Sequence, residues 1–173
     1  MNNEISLGTW LSLYSEAIAE VLVNAGYEWV TVDLEHSAIT IDQAEKLIRV
    51  IDLAGAKPYV RVSSNDAVQI KRVLDAGAQG IIVPMVNTKD DVLAAISAMN
   101  YPPLGSRGMG LARAQGYGQA NLKSKYIEKS SKELELYIQI ESKDALDNLD
   151  DIFSQNIDGY MIGPYDLSSS MGI

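Results

Sequence analysis

Polar residues that could do chemistry stand where apolar runs end. They are Asp33, Glu35 and His36 closing WVTVDL, Arg61 closing KPYVR, Gln139 and Glu141 in YIQIES, and Asp166 in GPYDLS. Two carboxylates, Glu141 and Asp166, suit a hard divalent cation and leave positions for water and substrate oxygens. A lone guanidinium, Arg61, can stabilise a developing enolate or hold a carboxylate. The imidazole of His36 is matched to proton transfer near neutral pH. Cation, guanidinium and base together suit making or breaking a bond beside a carbonyl. Each residue also has an ordinary alternative. An acid at a strand end caps helices, as Asp166 before Leu-Ser-Ser would; His36 fits an exposed surface; Arg61 fits an ion pair with Glu35 or Asp75.

For these residues to meet, the elements carrying them must end on one rim. The sequence alternates apolar, β-branched runs with amphipathic stretches. The spacing predicts strands at Ile5–Leu13, Trp29–Leu34, Lys57–Val62, Gly80–Met85, Leu134–Glu141 and Gly159–Gly163, most of them near-continuous apolar runs suited to burial on both faces. Helical faces fall on Ile18/Val21/Leu22/Ala25, Ala44/Leu47/Ile48/Ile51, Ile70/Val73/Leu74, Val92/Ile96/Met99 and Leu146/Leu149/Ile152/Phe153. Ala25-Gly26, Ala54-Gly55 and Ala76-Gly77 read as helix ends, and Thr40 and Thr88 as N-caps. Residues 100–132, rich in Gly, Pro, Ser and Tyr, read as one long irregular stretch. Strand–helix alternation implies a parallel sheet with right-handed crossovers and chemistry at the C-terminal strand ends. The pattern alone leaves an open doubly wound sheet and a (β/α)8 barrel as alternatives. The first turn, Leu13-Tyr14-Ser15-Glu16, carries no dinucleotide fingerprint. Gly108-Met109-Gly110 lacks the third glycine and preceding strand of a phosphate loop.

Composition removes whole classes of site. The 173 residues contain no Cys and one His, which excludes disulfide frameworks, thiolate metal sites and clusters of imidazoles. A net charge of −9 argues against a nucleic-acid partner. No run reaches the ~18 apolar residues of a membrane span, and Met1-Asn2-Asn3-Glu4 is unlike a signal peptide. Cytoplasm is the expected location.

The segments VDLEHSAI, YVRVSSND, QIKRVLDAGAQGIIVPMV, YPPLGSRGMG, QIES and GPYDLSSSMG, in that order, resemble the HpcH/HpaI family. These are metal-dependent pyruvate aldolases of the phosphoenolpyruvate/pyruvate-binding barrel superfamily. The resemblance runs from about Gly8 to Ile173. It implies a (β/α)8 TIM-barrel fold, here cut short after about six βα units, so residues 1–173 read as a single, incomplete barrel domain. It also implies reversible aldol cleavage of a 4-hydroxy-2-oxo acid to pyruvate and an aldehyde, with Mg²⁺, Mn²⁺ or Co²⁺ as cofactor and no Schiff-base lysine. By the same resemblance Glu141 and Asp166 are metal ligands, His36 the general base, Asp75 its carboxylate partner and Arg61 the enolate-stabilising arginine. Asp33, Gln139 and the Gly163-Pro164-Tyr165 backbone would surround metal and pyruvate. Relatives of this kind assemble as hexamers and swap their last helix, so a homo-oligomer is expected. Two other readings are a citrate-lyase-like enzyme acting on coenzyme A thioesters and a catalytically silent binding or assembly module.

Overall fold

The computed structural model describes residues 5–173; Met1–Glu4, read above for a leader, and the side chains of Ala120, Asn121 and Lys123 lie outside the described residues. Six strands, β1 (Gly8–Leu11), β2 (Trp29–Asp33), β3 (Lys57–Arg61), β4 (Gly80–Val83), β5 (Glu135–Ile140) and β6 (Gly159–Ile162), form one sheet. Each pairs in parallel with the next, in the order β1-β2-β3-β4-β5-β6. β1 and β6 are its edges. The sheet is that of a curled half-barrel and is not closed, in keeping with the expectation of a barrel cut short after about six βα units.

The helices α1 (Glu16–Asn24), α2 (Ile41–Ala54), α3 (Ala67–Ala76) and α4 (Lys89–Met99) pack side by side on the outer face. Their start and stop signals are local. Thr40 and Thr88 each accept a hydrogen bond from the amide three residues on, and the side chains of Gln43 and Asp91 accept from the threonine amides in return. At the other end, Gly55 and Gly77 close α2 and α3 with φ of 106° and 108°, a conformation that costs a residue with a Cβ. On α2 and α3 the faces expected from periodicity are the buried ones, Ala44, Leu47, Ile48 and Ile51 and Ile70, Val73 and Leu74; on α1 the expected Ile18, Val21 and Ala25 are exposed and Ala19 is the buried residue. The α2 and α3 faces meet Val30, Val32, Val60, Ile81, Val83, Ile138 and Ile140 from the outer face of the sheet in one apolar cluster.

Several expectations need correction. The strands are not uniformly apolar on both faces. Successive strand residues alternate sides, and the lumen side carries Trp10, Thr31, Asp33, Tyr59, Arg61, Tyr137 and Gln139. In the lower lumen Glu135 receives Lys57 Nζ at 2.5 Å and the hydroxyls of Tyr59 and Tyr137 at 2.7 Å each. Burial and the bonded carboxylate push the Tyr137 hydroxyl up to about 12 and that of Tyr59 higher still. The stretch 100–132 is not wholly irregular: it contains a 3-10 turn at Gly116–Gly118 and helix α5 (Ala120–Glu133). Apolar residues in α5 are too sparse to show a periodic face, and it is attached partly through Tyr126, whose hydroxyl donates to Leu74 O. The last amphipathic stretch breaks into α6 (Lys143–Asp147) and α7 (Leu149–Phe153) at Asn148, whose side chain donates to the carbonyls of Asn87 and Asp144. Helix α8 (Pro164–Met171) follows β6. Among the described residues, no helix is long and apolar enough to cross a membrane.

Candidate active site at the C-terminal rim

Parallel register carries the polar strand ends to one rim. Asp33 and Arg61 are directly paired across β2 and β3, and Gln139 lies opposite Met161 across β5 and β6. Arg61 donates to both oxygens of Asp33, Nε to Oδ1 at 2.9 Å and Nη2 to Oδ2 at 2.6 Å. Its Nη1 stands 3.5 Å from Gln139 Oε1 and 3.2 Å from Glu35 Oε2. The Trp10 ring lies under the guanidinium, 4.7 Å from ring centroid to Cζ. Gln139 in turn donates through Nε2 to Glu141 Oε2. A polar chain therefore runs from β2 through β3 to β5.

The turn after β2 is built on Asp33. Its Oδ1 accepts the amides of Glu35 and His36 at 3.0 and 3.3 Å, and its carbonyl accepts the Ser37 hydroxyl. Burial raises the pKa of Asp33, but the hydrogen bonds from Arg61 and from the His36 and Glu35 amides outweigh it, and the carboxyl titrates below its ordinary value. Glu35 goes the other way: burial holds its pKa up, opposed by Arg61 and reinforced by the charge of Glu141. The depressed Asp33 value fixes a sign. Its stabilising contribution is full above the unfolded carboxylate pKa of ~3.9 and is lost as pH falls through the lower folded value. Asp33→Asn is expected to cost roughly 3 kcal/mol at neutral pH, the low end for breaking a buried ion pair, since Glu35 still faces Arg61. Urea melts of both proteins check this. The difference should shrink below about pH 4, and an equal difference at acid and neutral pH would count against the ion pair.

Glu141 is 2 % exposed. Its Oε1 accepts the Met85 amide at 2.6 Å. Met85 adopts φ of 52°, a left-handed conformation uncommon for a residue with a long side chain and of the kind that clusters at functional sites. On the other side lies Gly163, where a Cβ would sit 2.5 Å from Glu141 Oε2 and 2.9 Å from its Cβ. Glycine there leaves a cradle for the carboxylate. Gly163 is also the N-cap of α8 and provides no side-chain cap, so the Tyr165 and Asp166 amides of the first turn are left without one. Asp166, three residues on, sits inside that first turn and is not a side-chain cap.

A cleft of about 370 Å³ opens over this rim, walled by Trp10, His36, Arg61, Gln139, Met161, Ile162, and the run Gly163-Pro164-Tyr165-Asp166. Asp33, Glu35 and Glu141 lie behind its wall. His36 projects with 62 % of its side chain exposed, and Tyr165 is 91 % exposed. Of the residues singled out in the sequence, Asp33, His36, Arg61, Gln139, Glu141, Gly163, Pro164, Tyr165 and Asp166 thus share one locality. Asp75 does not. It lies near the C-terminus of α3, which in a parallel unit is the end remote from the rim, and its Oδ1 receives Arg107 Nη2 at 2.6 Å and Gln115 Nε2 at 2.9 Å. The pairing of Asp75 with His36 is not made within this chain. Arg61 pairs with Glu35, as one sequence alternative had it, and not with Asp75. Gly110 of the glycine-rich GMG stretch packs against Asp75 instead of cradling a phosphate.

Trp10 and the Met85 amide belong to the site and were not expected from sequence. The lumen-facing phase of β1 is the signal that points to Trp10; nothing local marks Met85. Among the described residues no group of three or more His, Asp or Glu converges on one point. Of the two carboxylates the sequence offers for a cation, Asp166 lines the cleft and Glu141 lies buried behind its wall; two carboxylates with open positions suit a hard ion that also takes water and substrate oxygens. The cradle at Gly163 supports that fit. A second cleft of about 390 Å³ between α2, α3 and α5 has its charged lining paired within itself, Asp52 with Arg113 and Gln79 and Lys129 with Glu133.

Residues 6–173 match the family described as HpcH/HpaI aldolase/citrate lyase. The chain is 40% identical over 175 residues to a 2-keto-3-deoxy-L-rhamnonate aldolase of Klebsiella pneumoniae, covering 99% of this chain and 64% of that protein. It is 39% identical to a hydroxypyruvate/pyruvate aldolase of Sagittula stellata, covering 96% and 65%. An HpcH/HpaI aldolase/citrate lyase family protein from Burkholderia cenocepacia superimposes with a TM-score of 0.90 at 32% identity, over 98% of this chain and 68% of that one. The chain thus spans just under two thirds of the length of the curated relatives it matches.

Proposed function

The chain belongs to the HpcH/HpaI aldolase/citrate lyase family, and from that membership we propose that it serves a metal-dependent pyruvate aldolase, cleaving a 4-hydroxy-2-oxo acid reversibly to pyruvate and an aldehyde. The observation that carries this reading is the hydrogen-bonded chain Asp33–Arg61–Gln139–Glu141, running behind a cleft that His36 and Asp166 also line.

Each residue has a task that its surroundings support. Arg61 has five N–H groups; Asp33 and Gln139 take three and Glu35 stands beside Nη1, which leaves Nη2 the freer terminal nitrogen for an oxygen of a 2-oxo acid. Held rigidly by Asp33 and Trp10, the guanidinium stabilises the negative charge that builds on the pyruvate half as the carbon–carbon bond breaks, without reorganising. The uncapped amides of Tyr165 and Asp166 after Gly163 suit the pyruvate carboxylate. His36, exposed at the mouth, takes the proton from the substrate 4-hydroxyl and returns it in the reverse direction. Glu141 and Asp166 would hold Mg²⁺, Mn²⁺ or Co²⁺, which supplies Lewis-acid charge to the substrate oxygens when bound. A homo-oligomer is the assembly expected of this family, and a second copy is where an Asp75–His36 contact would arise.

The test is release of pyruvate from a 4-hydroxy-2-oxo acid, followed by coupled reduction. Turnover should depend on added Mn²⁺, stop with a chelator and return when metal is restored. Undiminished turnover in the chelator would sink the reading.

A further inference from the structure

Among the described residues, three buried side-chain polar atoms have no hydrogen-bond partner: Thr31 Oγ1, Arg107 Nε and Glu35 Oε2. An unpaired buried oxygen costs free energy and needs a reason. For Glu35 the reason lies in its neighbours. Oε2 stands 3.2 Å from Arg61 Nη1, off the line of a hydrogen bond, and 3.7 Å from His36 Nε2. It faces two nitrogens of the proposed machinery at once.

The other carboxylates near the rim differ. Both oxygens of Asp33 are engaged, Oδ1 by Arg61 and two amides and Oδ2 by Arg61. Both oxygens of Glu141 accept hydrogen bonds, from Met85 N and Gln139 Nε2. Asp75 is held by Arg107 and Gln115 far along α3. Among the described residues Glu35 is the carboxylate within 4 Å of the imidazole, and its Oε2 has no hydrogen-bond partner. The turn fixes this placement. With the Glu35 and His36 amides both on Asp33 Oδ1 and Ser37 bonded to the Asp33 carbonyl, Glu35 turns inward beneath the rim while His36 turns outward.

We propose that Glu35 is a positioning residue for His36: anchored by Arg61, its carboxylate draws the proton of the imidazole onto Nε2 and leaves Nδ1 as the atom that accepts from the substrate. The proposal rests on the reading of His36 as the base, and it differs from the sequence-based expectation in giving this chain its own orienting carboxylate. The hydrogen bond on one ring nitrogen sets the tautomer of the other. Arg61 and Glu35 are both largely buried, so their pairing is weakly screened, whereas the exposed imidazole can turn toward Oε2 without disturbing packing.

Because His36 is the only histidine in the sequence, its ring nitrogens can be read by ¹⁵N NMR without ambiguity. The separation of the Nδ1 and Nε2 shifts, taken at about pH 8.5 where an unperturbed imidazole is neutral, reports how completely the proton sits on Nε2. In Glu35→Leu the separation should narrow as the ring relaxes toward the mixture of a free imidazole. In Glu35→Gln, which keeps an acceptor without the charge and folds more readily, it should narrow less. Asp75→Asn should leave it unchanged. An unaltered separation in folded Glu35→Gln and Glu35→Leu would overturn the proposal, and so would an equal narrowing in Asp75→Asn. The readout needs no turnover. A ring response in a protein that forms no pyruvate would leave the positioning standing and remove the aldolase reading, while an unchanged ring in an active protein would do the reverse.

Discussion

Replacing Glu141 with Ala is expected to lower metal-dependent pyruvate formation at least about a thousandfold, the rate equivalent of roughly 4 kcal/mol. Glu141 is buried, held at Oε1 by the Met85 amide and at Oε2 by Gln139, so its oxygens have a fixed direction that water in a truncated side chain's place would not reproduce. With only Asp166 left as a carboxylate donor, the cation would lose half of its proposed protein ligands, and divalent affinity should fall with activity. Titration of Mn²⁺ into wild type, Glu141→Ala and Asp166→Ala checks binding apart from turnover. Gly163→Ala gives a further arm: its Cβ would press on Glu141 at 2.5 Å, so it should weaken Mn²⁺ binding while removing no donor. Wild-type turnover in Glu141→Ala would reject the metal assignment.

His36→Ala is expected to lower kcat by ~10²–10⁴, the usual contribution of a positioned acid–base group, with Mn²⁺ affinity nearly intact. An alcohol proton of high pKa does not leave unaided at the speed of the carbon–carbon bond change. The chain has no second imidazole to substitute. The side chain is exposed at the mouth of the cleft and supports no core packing, so the folded state should be unaffected and thermal melts of variant and wild type should coincide. Steady-state kinetics on one 4-hydroxy-2-oxo acid measures the effect, and cleavage at the unmutated rate would refute the role of His36.

These two expectations rest on residues that local sequence rules could find. A strand ends, a helix begins, and in a parallel α/β chain the residues between them stand on one rim. Asp33, His36, Arg61, Gln139, Glu141 and Asp166 are legible for that reason. So are the faces of α2 and α3 and the caps at Thr40, Thr88, Gly55 and Gly77, because each depends on residues three or four apart. Helix α5 is not legible because residues 120–133 lack a periodic apolar face, and the tertiary contacts of Tyr126 with Leu74 and Arg107 take its place.

What the sequence determined by itself is the inventory of the site and the end of the sheet on which it gathers. Partners were decided only by the tertiary structure. Arg61 chooses Asp33, 28 residues away, and reaches Gln139, 78 residues away, because strand register sets those neighbours, and no local rule fixes register between distant strands. The same holds for Met85, whose amide finds Glu141 across 56 residues, and for Trp10, which lies under Arg61 only once β1 takes its place at the edge. Asp75 shows the converse: its sequence neighbourhood matches the family, yet the direction in which α3 runs carries it to the opposite end of the sheet from His36. Glu35, adjacent to His36 in sequence, is left as the carboxylate that this chain itself sets beside the imidazole.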